Sequence, residues 1–502
     1  MRSPGTIVTP IVEIDGEPLP TGTLAMLSEV VVDHHVDQPA ICSLRFERAE
    51  GVDHAFETLP GGALVVKADD APAPLFEGDI TSVAETHGRG GLRGLRVCAR
   101  DRLHRLLQRQ PVRVHLDLNL ADLATGLVSA DEIVVDSGPS GPVCERTYQF
   151  RQTDFDLLTE RAASCGVHFA LRGRTLKLFD LAGTGDEIEL TLGENLFEAS
   201  FENNADHAAR RVHARAWDPS LVEARSGSSA SPRTAQADPR GGPAVIGDEW
   251  QLLDEVVRAD AEAEAMAQAE LDYRAARRIM FSGTAAGDAG FFPGVTVRLA
   301  GVSPHFAGRY VVTRVRHSID TVSGFVSSLW TAPPEPLKRR WSPLMTFGRV
   351  VRVEDPEKLG RVQVEMVAYG SLESGWLQVL LPAAGAGKGL IALPDVDDKV
   401  LVLLPREDPA HGVVLGGLYG SSAPPDAGVE RGAVERYTVR TRGGQLIQLD
   451  DGGRRLRLEN AQGSFVELQP DKVRVHAETD LEIEAPGHNV VIAGKKIDFR
   501  QA

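Results

Sequence analysis

Residues 430–502, here called the stem, carry a repeat of short segments in which apolar and polar residues alternate. The final apolar residue of each segment falls 7 to 10 positions after the one before it. Strands this short cannot bury an apolar face alone, and one chain of them would leave open sheet edges. The repeat therefore predicts a β-helix or β-prism shared among several chains, with an ordinary β-domain as the alternative. The final apolar positions are Leu449, Leu458, Leu468, Val475, Ile483, Ile492 and Phe499.

Alternation also assigns an inside and an outside to the stem. Successive strand residues point to opposite faces of a sheet, so every second residue shares a face. Charged residues alternate with the apolar ones, and Arg457, Glu459, Arg474, Glu482 and Glu484 are expected outside. The residues expected in the core of the stem are Leu456, Leu458, Val473, Val475, Leu481 and Ile483.

Upstream of the stem, the sequence divides into two further regions. Residues 1–335 are predicted to form mainly strands, followed by a proline-rich linker. Residues 345–420 are predicted to form a compact all-strand unit that ends at a second break, Ser421–Asp426. A run rich in Ser, Ala, Pro and Gly over 218–247 predicts a loop or disordered insert.

A few helices are predicted within the first region. Asp254–Met280 is the one long helix, because it contains a run of strong helix formers. Shorter helices are predicted over Asp101–Leu107, Asn119–Val128 and Thr153–Cys165, with Asp101 and Thr153 as N-caps.

The net charge argues against one class of function, the dedicated nucleic-acid binder. The chain has 71 Asp and Glu against 54 Lys and Arg, a formal net charge of −17. A dedicated nucleic-acid binder needs the opposite sign to neutralise phosphates. The stem holds 12 acidic and 12 basic residues, so the excess negative charge belongs to the rest of the chain.

Composition also bears on the cellular compartment. No run of about 18 apolar residues that could span a bilayer is present, and the N-terminus lacks the apolar core of a signal peptide. The chain is therefore expected to be made in the cytoplasm. Its four widely spaced cysteines, without a CxxC pair, are expected to be reduced: Cys42, Cys98, Cys144 and Cys165.

Patterns for catalysis and for ion binding are weak. His34 and His35 are adjacent, so in a strand they point to opposite sides and cannot easily share one ion. Ser303 and Ser371 lie in predicted turns without a nearby His and Asp pattern. The run 385–389 misses the spacing of a P-loop and predicts a tight turn. Three carboxylate pairs are expected to serve turns: Asp69–Asp70, Asp397–Asp398 and Asp450–Asp451. No catalytic, metal-binding or cofactor-binding residue is therefore predicted.

An ordered set of motifs runs through the second region. It includes Gly348–Val353 (GRVVRV), Leu359–Val364 (LGRVQV), Asp397–Leu403 (DDKVLVL) and Val413–Tyr419 (VVLGGLY). This set resembles the OB-fold of phage baseplate spike proteins and of VgrG, the spike of type VI secretion. That family usually has Gly-Asp-Glu before its Val-Leu-Val strand, whereas this chain has Asp-Asp-Lys.

Two other regions extend the resemblance over nearly the whole chain. Val473–Glu484 (VRVHAETDLEIE) resembles the β-helix of VgrG. The predicted long helix, followed by Gly308–Val312 and Val315–His317, resembles the phage tail hub family. The stretch between the OB-fold and the stem is too short for an enzyme domain. The chain therefore looks most like the spike of extracellular, phage-tail-like contractile injection systems.

The resemblance implies a mainly β fold with some α. Residues 1–335 would form a hub of two barrel-like subdomains with helical and mixed inserts, and residues 345–420 an OB-fold. Residues 430–502 would form an intertwined trimeric β-helix or prism. Three chains would then make a structural spike, not an enzyme, that caps the inner tube and pierces a target envelope when a sheath contracts.

The resemblance also implies partners. They are two further copies of the chain, the inner tube and baseplate proteins of the particle, and a PAAR-repeat protein at the tip. Membrane penetration would be transient, no nucleic acid would bind, and the spike would be part of an assembled particle, cytoplasmic or released. The residues expected to contact the tip protein are Lys496, Ile497, Asp498, Phe499, Arg500 and Gln501. A β-helix enzyme acting on polysaccharide and an OB-fold nucleic-acid binder remain as alternatives.

Overall fold

A computed structural model of the chain divides into two compact units. They are the body (residues 1–417) and the C-terminal unit (residues 418–502). Both contain more strand than helix, which confirms the prediction of a mainly β chain with some α. The structure describes residues 8–47, 60–68, 73–88, 93–136, 138–235, 249–335 and 342–500.

The first hundred residues begin the largest sheet of the body. Apolar residues alternate along its strands, and inward-facing ones such as Val32, Leu44 and Val97 are fully buried. A single helical turn, α1 (Thr21–Leu24), interrupts them. The strands are β1 (Pro10–Ile14), β2 (Glu17–Pro18), β3 (Leu27–His35), β4 (Ile41–Glu47), β5 (Ala63–Ala68), β6 (Phe76–His87) and β7 (Arg93–Arg100).

A mixed subdomain follows, and its helices begin where the sequence predicts. Asp101 Oδ1 accepts a hydrogen bond from Leu103 N at 3.0 Å at the start of a 3-10 helix, Arg102–Gln108. Thr153 and Asp156 form a reciprocal capping box at the next long helix. The elements are β8 (Arg113–Leu118), α2 (Leu120–Val128), a 3-10 turn (Ser129–Asp131), β9 (Val134–Asp136), β10 (Cys144–Gln149), α3 (Asp154–Cys165), β11 (His168–Arg172) and β12 (Thr175–Phe179).

The rest of the hub region returns to strands and completes the large sheet. Its elements are β13 (Thr184–Thr191), β14 (Leu196–Asn203), β15 (Arg211–Asp218), β16 (Glu223–Ser229), β17 (Glu249–Val256), α4 (Asp260–Ala276), β18 (Ile279–Ala286), β19 (Val295–Ala300), β20 (Gly308–Val311), β21 (Arg314–Asp320) and β22 (Gly324–Trp330). Eleven strands then form one sheet in the order β14-β18-β22-β21-β3-β4-β7-β6-β5-β1-β2. The pairing of β21 with β3 joins the two ends of the hub region.

Two predictions in this region need correction. The long helix is α4 and does not cover Asp254–Met280, because β17 extends to Val256 and β18 begins at Ile279. The insert at 218–247 is not simply a loop, since it contains β16. Gly227 of β16 lets α4 approach closely: a Cβ there would lie 2.2 Å from Glu264 N. Residues 236–248 lie outside the described ranges.

The next sheet is that of the OB domain (residues 344–418). Its strands are β23 (Leu344–Arg352), β24 (Gln363–Met366), β25 (Leu372–Glu373), β26 (Gln378–Val379), β27 (Lys399–Leu404) and β28 (Val413–Leu418), in the order β25-β24-β23-β27-β28-β26. Three 3-10 turns connect them: Val367–Tyr369, Pro405–Glu407 and Pro409–His411. Inward-facing side chains such as Val350, Val364 and Leu404 are completely buried.

Hub residues help to build the OB domain. Tyr148 from β10 belongs to the OB core, and its hydroxyl donates to the Glu373 carbonyl at 3.1 Å. Arg258, between β17 and α4, donates from Nη2 to the Ala410 carbonyl at 3.1 Å. Hub and OB domain therefore share side-chain contacts within the body.

The C-terminal unit contains a five-stranded antiparallel meander. Each of its strands pairs with the next one along the chain. Gly444 and Gly463 turn the chain with φ of 90° and 94°, values that favour glycine. The strands are β29 (Val429–Glu430), β30 (Ala433–Val434), β31 (Arg436–Arg440), β32 (Leu446–Asp450), β33 (Arg455–Glu459), β34 (Phe465–Leu468) and β35 (Val473–His476).

Four of the seven predicted stem segments form strands in the single chain, and they are β32 to β35. An additional strand, β31, precedes the predicted repeat. The last three segments, Leu481–Glu484, Val490–Ile492 and Ile497–Phe499, are not strands. A strand needs a ladder partner, and within described residues 479–500 the backbone makes one backbone hydrogen bond, from His488 N to Ala485 O at 2.9 Å.

Candidate functional site

The meander β31–β35 has one face that is apolar across all five strands. Its side chains form two columns that follow the strand register. Nine of the ten are 43–66% exposed in the single chain, and Val466 is half-buried. The first column is Tyr437, Leu449, Leu456, Leu468 and Val473. The second column is Val439, Ile447, Leu458, Val466 and Val475.

The opposite face of the meander is polar and internally paired. Arg457 donates from Nη1 to Glu467 Oε2 at 2.9 Å and from Nε to Glu459 Oε2 at 2.7 Å. The same guanidinium lies 4.1 Å from the centroid of the Phe465 ring. Arg457 holds the pKa of Glu459 below its usual range. The charged side chains of this face are therefore paired within one chain, whereas the apolar face is open to solvent.

Asp426 ties the preceding linker to this polar face. Its Oδ2 accepts from Arg436 Nε at 3.0 Å and from Thr438 Oγ1 at 2.9 Å, and its Oδ1 accepts from Gly428 N at 2.8 Å. These donors, Arg436 first, lower the pKa of the Asp426 carboxyl. The linker therefore enters the meander at a fixed point.

The predicted stem-core residues fall on the apolar face or beyond it. Leu456, Leu458, Val473 and Val475 lie in the two columns, and Arg457, Glu459 and Arg474 lie on the other face. Leu481 and Ile483 follow β35 and are exposed, with neighbouring Glu482 and Glu484 also exposed.

The predicted tip residues that the structure describes are exposed in the single chain. Phe499 is 89% exposed, and Ile497 is also exposed. Lys496 Nζ donates to Asp498 Oδ2 at 2.8 Å, and Arg500 Nη2 lies 3.8 Å from the same oxygen. Gln501 lies outside the described residues. The tip thus combines an apolar ring and a compact charged cluster.

The candidate residues of the body lie apart and serve the fold. His34 is buried and its Nε2 is 2.9 Å from the Leu75 carbonyl, whereas His35 Nδ1 is 2.7 Å from the Val36 carbonyl. The Ser303 carbonyl accepts from Phe306 N at 2.8 Å in a turn, and Ser371 has a φ of 61°. Within the described ranges, no group of three His, Cys, Asp or Glu side chains is arranged to hold a metal ion.

The predicted turn roles of the carboxylates and of the glycine-rich run are confirmed where they are described. Asp398 Oδ2 accepts from Asp395 N at 2.7 Å, and Asp450 Oδ1 accepts from Gly453 N at 2.7 Å. Gly385 and Lys388 exchange two backbone hydrogen bonds of 3.1 Å, which define a tight turn. Asp69 and Asp70 lie outside the described residues. The four cysteines are free thiols, as predicted.

One arrangement could not be read from the sequence. The rings of His34 and His317, 283 positions apart, lie 6.0 Å from each other in the hub, and both are buried. Burial lowers the pKa of His34 to about 4 and that of His317 to about 3. Both rings are therefore neutral at pH 7 and act as core residues. The pairing of β3 with β21 brings them together, and no local motif indicates it.

Tyr369 of the OB domain is not available to stack on nucleic-acid bases. It is buried in the core of this domain, with its ring 4.9 Å from that of Phe150. A nucleic-acid platform needs aromatic faces open to solvent. Among helices of the described ranges, none has both the length and the apolar character of a membrane span.

Comparisons with solved structures place this fold among phage tail and type VI secretion proteins. An Escherichia coli protein, described as a type VI secretion component similar to the T4 tail proteins gp27 and gp5, matches with a TM-score of 0.55 and 12% identity, over 81% of this chain and 99% of its own. The lidded Francisella PdpA–VgrG complex matches with a TM-score of 0.55 and 9% identity, over 95% of this chain and 81% of its own. The 43 kDa tail protein of prophage MuSo2 from Shewanella oneidensis matches with a TM-score of 0.51 and 13% identity, over 65% and 98%. At identities this low, the matches show a similar fold and nothing further.

Family models give the sequence-level match. Residues 346–419 match the type VI secretion system/phage-baseplate injector OB domain. The fold and the OB-domain match agree with a VgrG-like architecture, which confirms the resemblance noted from the motifs. Residues 4–321, more than half of the chain, match the Alg8 N-terminal domain, and the chain belongs to that family. No curated protein sequence matches the chain.

Proposed function

We propose that three copies of this chain form the spike of a contractile injection system. The observation that carries this proposal is the apolar face of β31–β35, which stays open to solvent in one chain. Soluble monomers rarely expose a contiguous apolar surface of this kind, because removing it from water is favourable. Two further copies of the same face would cover it, with Leu456, Leu458, Val473 and Val475 inside.

The three unpaired segments after β35 support the same assembly. Their backbone groups need ladder partners, and the equivalent segments of two other chains would supply them. Leu481 and Ile483, which follow the meander along the chain, would then continue the core of the stem. Such interleaved strands resist unfolding kinetically, since many main-chain hydrogen bonds must break together.

The body and the tip would serve the two ends of this spike. The hub region and the OB domain would attach to the inner tube and baseplate proteins. At the tip, a PAAR-repeat protein would cover Ile497 and Phe499 and meet the charges of Lys496, Asp498 and Arg500, with Gln501 beside them. The spike would act mechanically, without catalysis, as part of an assembled particle that pierces an envelope transiently when the sheath contracts. The particle type that fits best is an extracellular, phage-tail-like system.

Negative-stain images of particles test this function directly. Particles should be prepared from cells with the full chain and from cells that lack it. We expect a pointed density at one end of the inner tube only where the chain is present. Identical tube ends in both preparations would contradict the proposal.

A pull-down tests the tip partner separately. Deleting residues 495–502 should abolish co-purification of the PAAR-repeat protein, with Phe499→Asp as a smaller change at the same place. Glu484→Ala, which lies outside the predicted tip, is the control. Continued binding by the deletion variant would show that the tip residues are wrongly assigned.

A further inference from the structure

Asp37 joins the large sheet of the hub to the mixed subdomain. It lies in the turn between β3 and β4, and its Oδ1 accepts a hydrogen bond from Phe169 N of β11 at 2.9 Å. Asp37 N donates in return to the Phe169 carbonyl at 2.9 Å. The φ of Asp37 is 60°, in the left-handed region that aspartate tolerates better than most residues. Asp37 therefore holds β11 with its backbone and its side chain together.

The second carboxylate oxygen of Asp37 meets a histidine. His168 Nδ1 lies 2.6 Å from Asp37 Oδ2, and the two side chains are only 15% and 16% exposed. An ion pair with so little access to water is screened much less than a surface pair. Apolar contacts hold the same junction, through a small buried core of Val36, Ala170, Phe179 and Phe292. The charge of His168 therefore bears on how firmly this junction is closed, while the apolar core keeps any opening local.

Carboxylates from three different elements act on His168. Besides Asp37, they are Asp180, which follows β12, and Asp272 of α4. Arg233, which follows β16, pairs with both of these: its Nε donates to Asp272 Oδ2 at 2.9 Å, and its Nη1 lies 3.8 Å from Asp180 Oδ2. Burial lowers the pKa of His168, but the three carboxylates outweigh it, so this pKa lies above its usual value of 6.5. The surroundings thus favour the protonated imidazole.

We propose that Asp37 and His168 form a pH-sensitive clamp between the large sheet and the mixed subdomain. While His168 is protonated, the ion pair reinforces the two hydrogen bonds between Asp37 and Phe169. When His168 loses its proton, the Asp37 carboxylate loses its opposite charge, and the junction opens locally more often. A histidine whose pKa is raised by folding contributes stability that is fully present below the usual value and is lost as the pH rises through the raised one. The clamp is therefore firm at pH 6 and looser at pH 9.

Hydrogen exchange of the full chain, followed by mass spectrometry, tests the clamp. Peptides that cover residues 36–40 and 167–172 contain the amides of Asp37 and Phe169. After correction for the intrinsic pH dependence of exchange, we expect the protection of these peptides to fall several-fold from pH 6 to pH 9. Peptides from β27 are the internal reference, because that strand lies in the OB core and carries no histidine. Their protection should stay constant.

Two variants each remove one charge of the pair. Asp37→Asn keeps an oxygen for Phe169 N and suits the left-handed region, and His168→Asn keeps an N–H donor in place of the imidazole. Both variants should show the same junction protection at pH 6 and at pH 9. His87→Gln is the matched control, because the His87 side chain is 72% exposed, and it should behave like the natural chain.

Three results would overturn the clamp. The first is junction protection in the natural chain that does not change from pH 6 to pH 9. The second is a fall in Asp37→Asn and His168→Asn as large as that of the natural chain, and the third is an equal fall in the β27 peptides. The first result needs no variant, so the test remains decisive even if neither substituted chain folds.

Discussion

The OB sheet and the meander β31–β35 are both built from strands in which apolar and polar residues alternate, but only the OB sheet buries its apolar face. In the OB domain, Val350, Val364 and Val402 are completely buried by other strands of the body. In the meander, Leu456 and Val475 occupy equivalent alternating positions and are about half exposed or more. The OB domain completes its core within one chain, whereas the meander satisfies only its charged face. Alternation thus defines which residues share a face, but it does not determine whether that face is covered within the same chain.

The largest effect is expected from a charge placed in the stem core. Ile483→Lys would bury three ammonium groups at one level of a trimer, and we expect the trimer to be lost. Glu482→Lys is the matched control, because the neighbouring residue is expected outside. Native mass measurements of both variants check this. Trimers of equal resistance to heat in both variants would show that the inward assignment of Ile483 is wrong.

A truncation in the OB core should weaken the body by an amount that is independent of assembly. Leu404 is completely buried, so Leu404→Ala should cost about 2–5 kcal/mol. All five tryptophans lie in the body, so their fluorescence during denaturant unfolding reports on the body alone. The loss in the free energy of unfolding should be the same at low and high protein concentration. A loss that disappears at high concentration would mean that the body also depends on assembly.

The contact between hub and OB domain should contribute an intermediate amount. Arg258→Met removes the hydrogen bond to the Ala410 carbonyl together with the ion pair to Glu145 of the hub, and we expect the free energy of unfolding to fall by about 1.5–3 kcal/mol. Arg45→Met is the control, because Arg45 and Glu29 form an exposed ion pair at 3.5 Å worth at most about 1 kcal/mol. The same fluorescence measurement applies. If both variants lower the free energy of unfolding equally, the internal contact contributes no more than the surface pair, which contradicts the prediction.

The smallest effect concerns pH. Asp355 accepts two hydrogen bonds from Arg361, at 3.0 and 2.8 Å, and this pairing lowers the pKa of Asp355 to about 2. A carboxyl with a lowered pKa in the folded state stabilises it above the usual value near 3.8 and loses that effect as the pH falls towards 2. The difference in stability between the natural chain and Asp355→Asn should therefore shrink from pH 4 to pH 2. An unchanged difference over that range would contradict the assignment.

The sequence predicts the local elements better than their partners. The caps at Asp101 and Thr153 are short-range signals, and the helices begin where expected. The OB motifs are also local and ordered, and the family match covers nearly the same residues. The buried pair of His34 and His317 depends on strand pairing across 283 positions, which no local pattern encodes. The strands expected after β35 are not formed, because their ladder partners are not available in one chain.

In the proposed spike, the apolar face of β31–β35 is an interface between copies of this chain. Sedimentation equilibrium of the purified full chain over a wide concentration range tests it most directly. We predict a single species of three times the 54.1 kDa chain mass that does not dissociate on dilution. A species of 54.1 kDa at every concentration would contradict the claim.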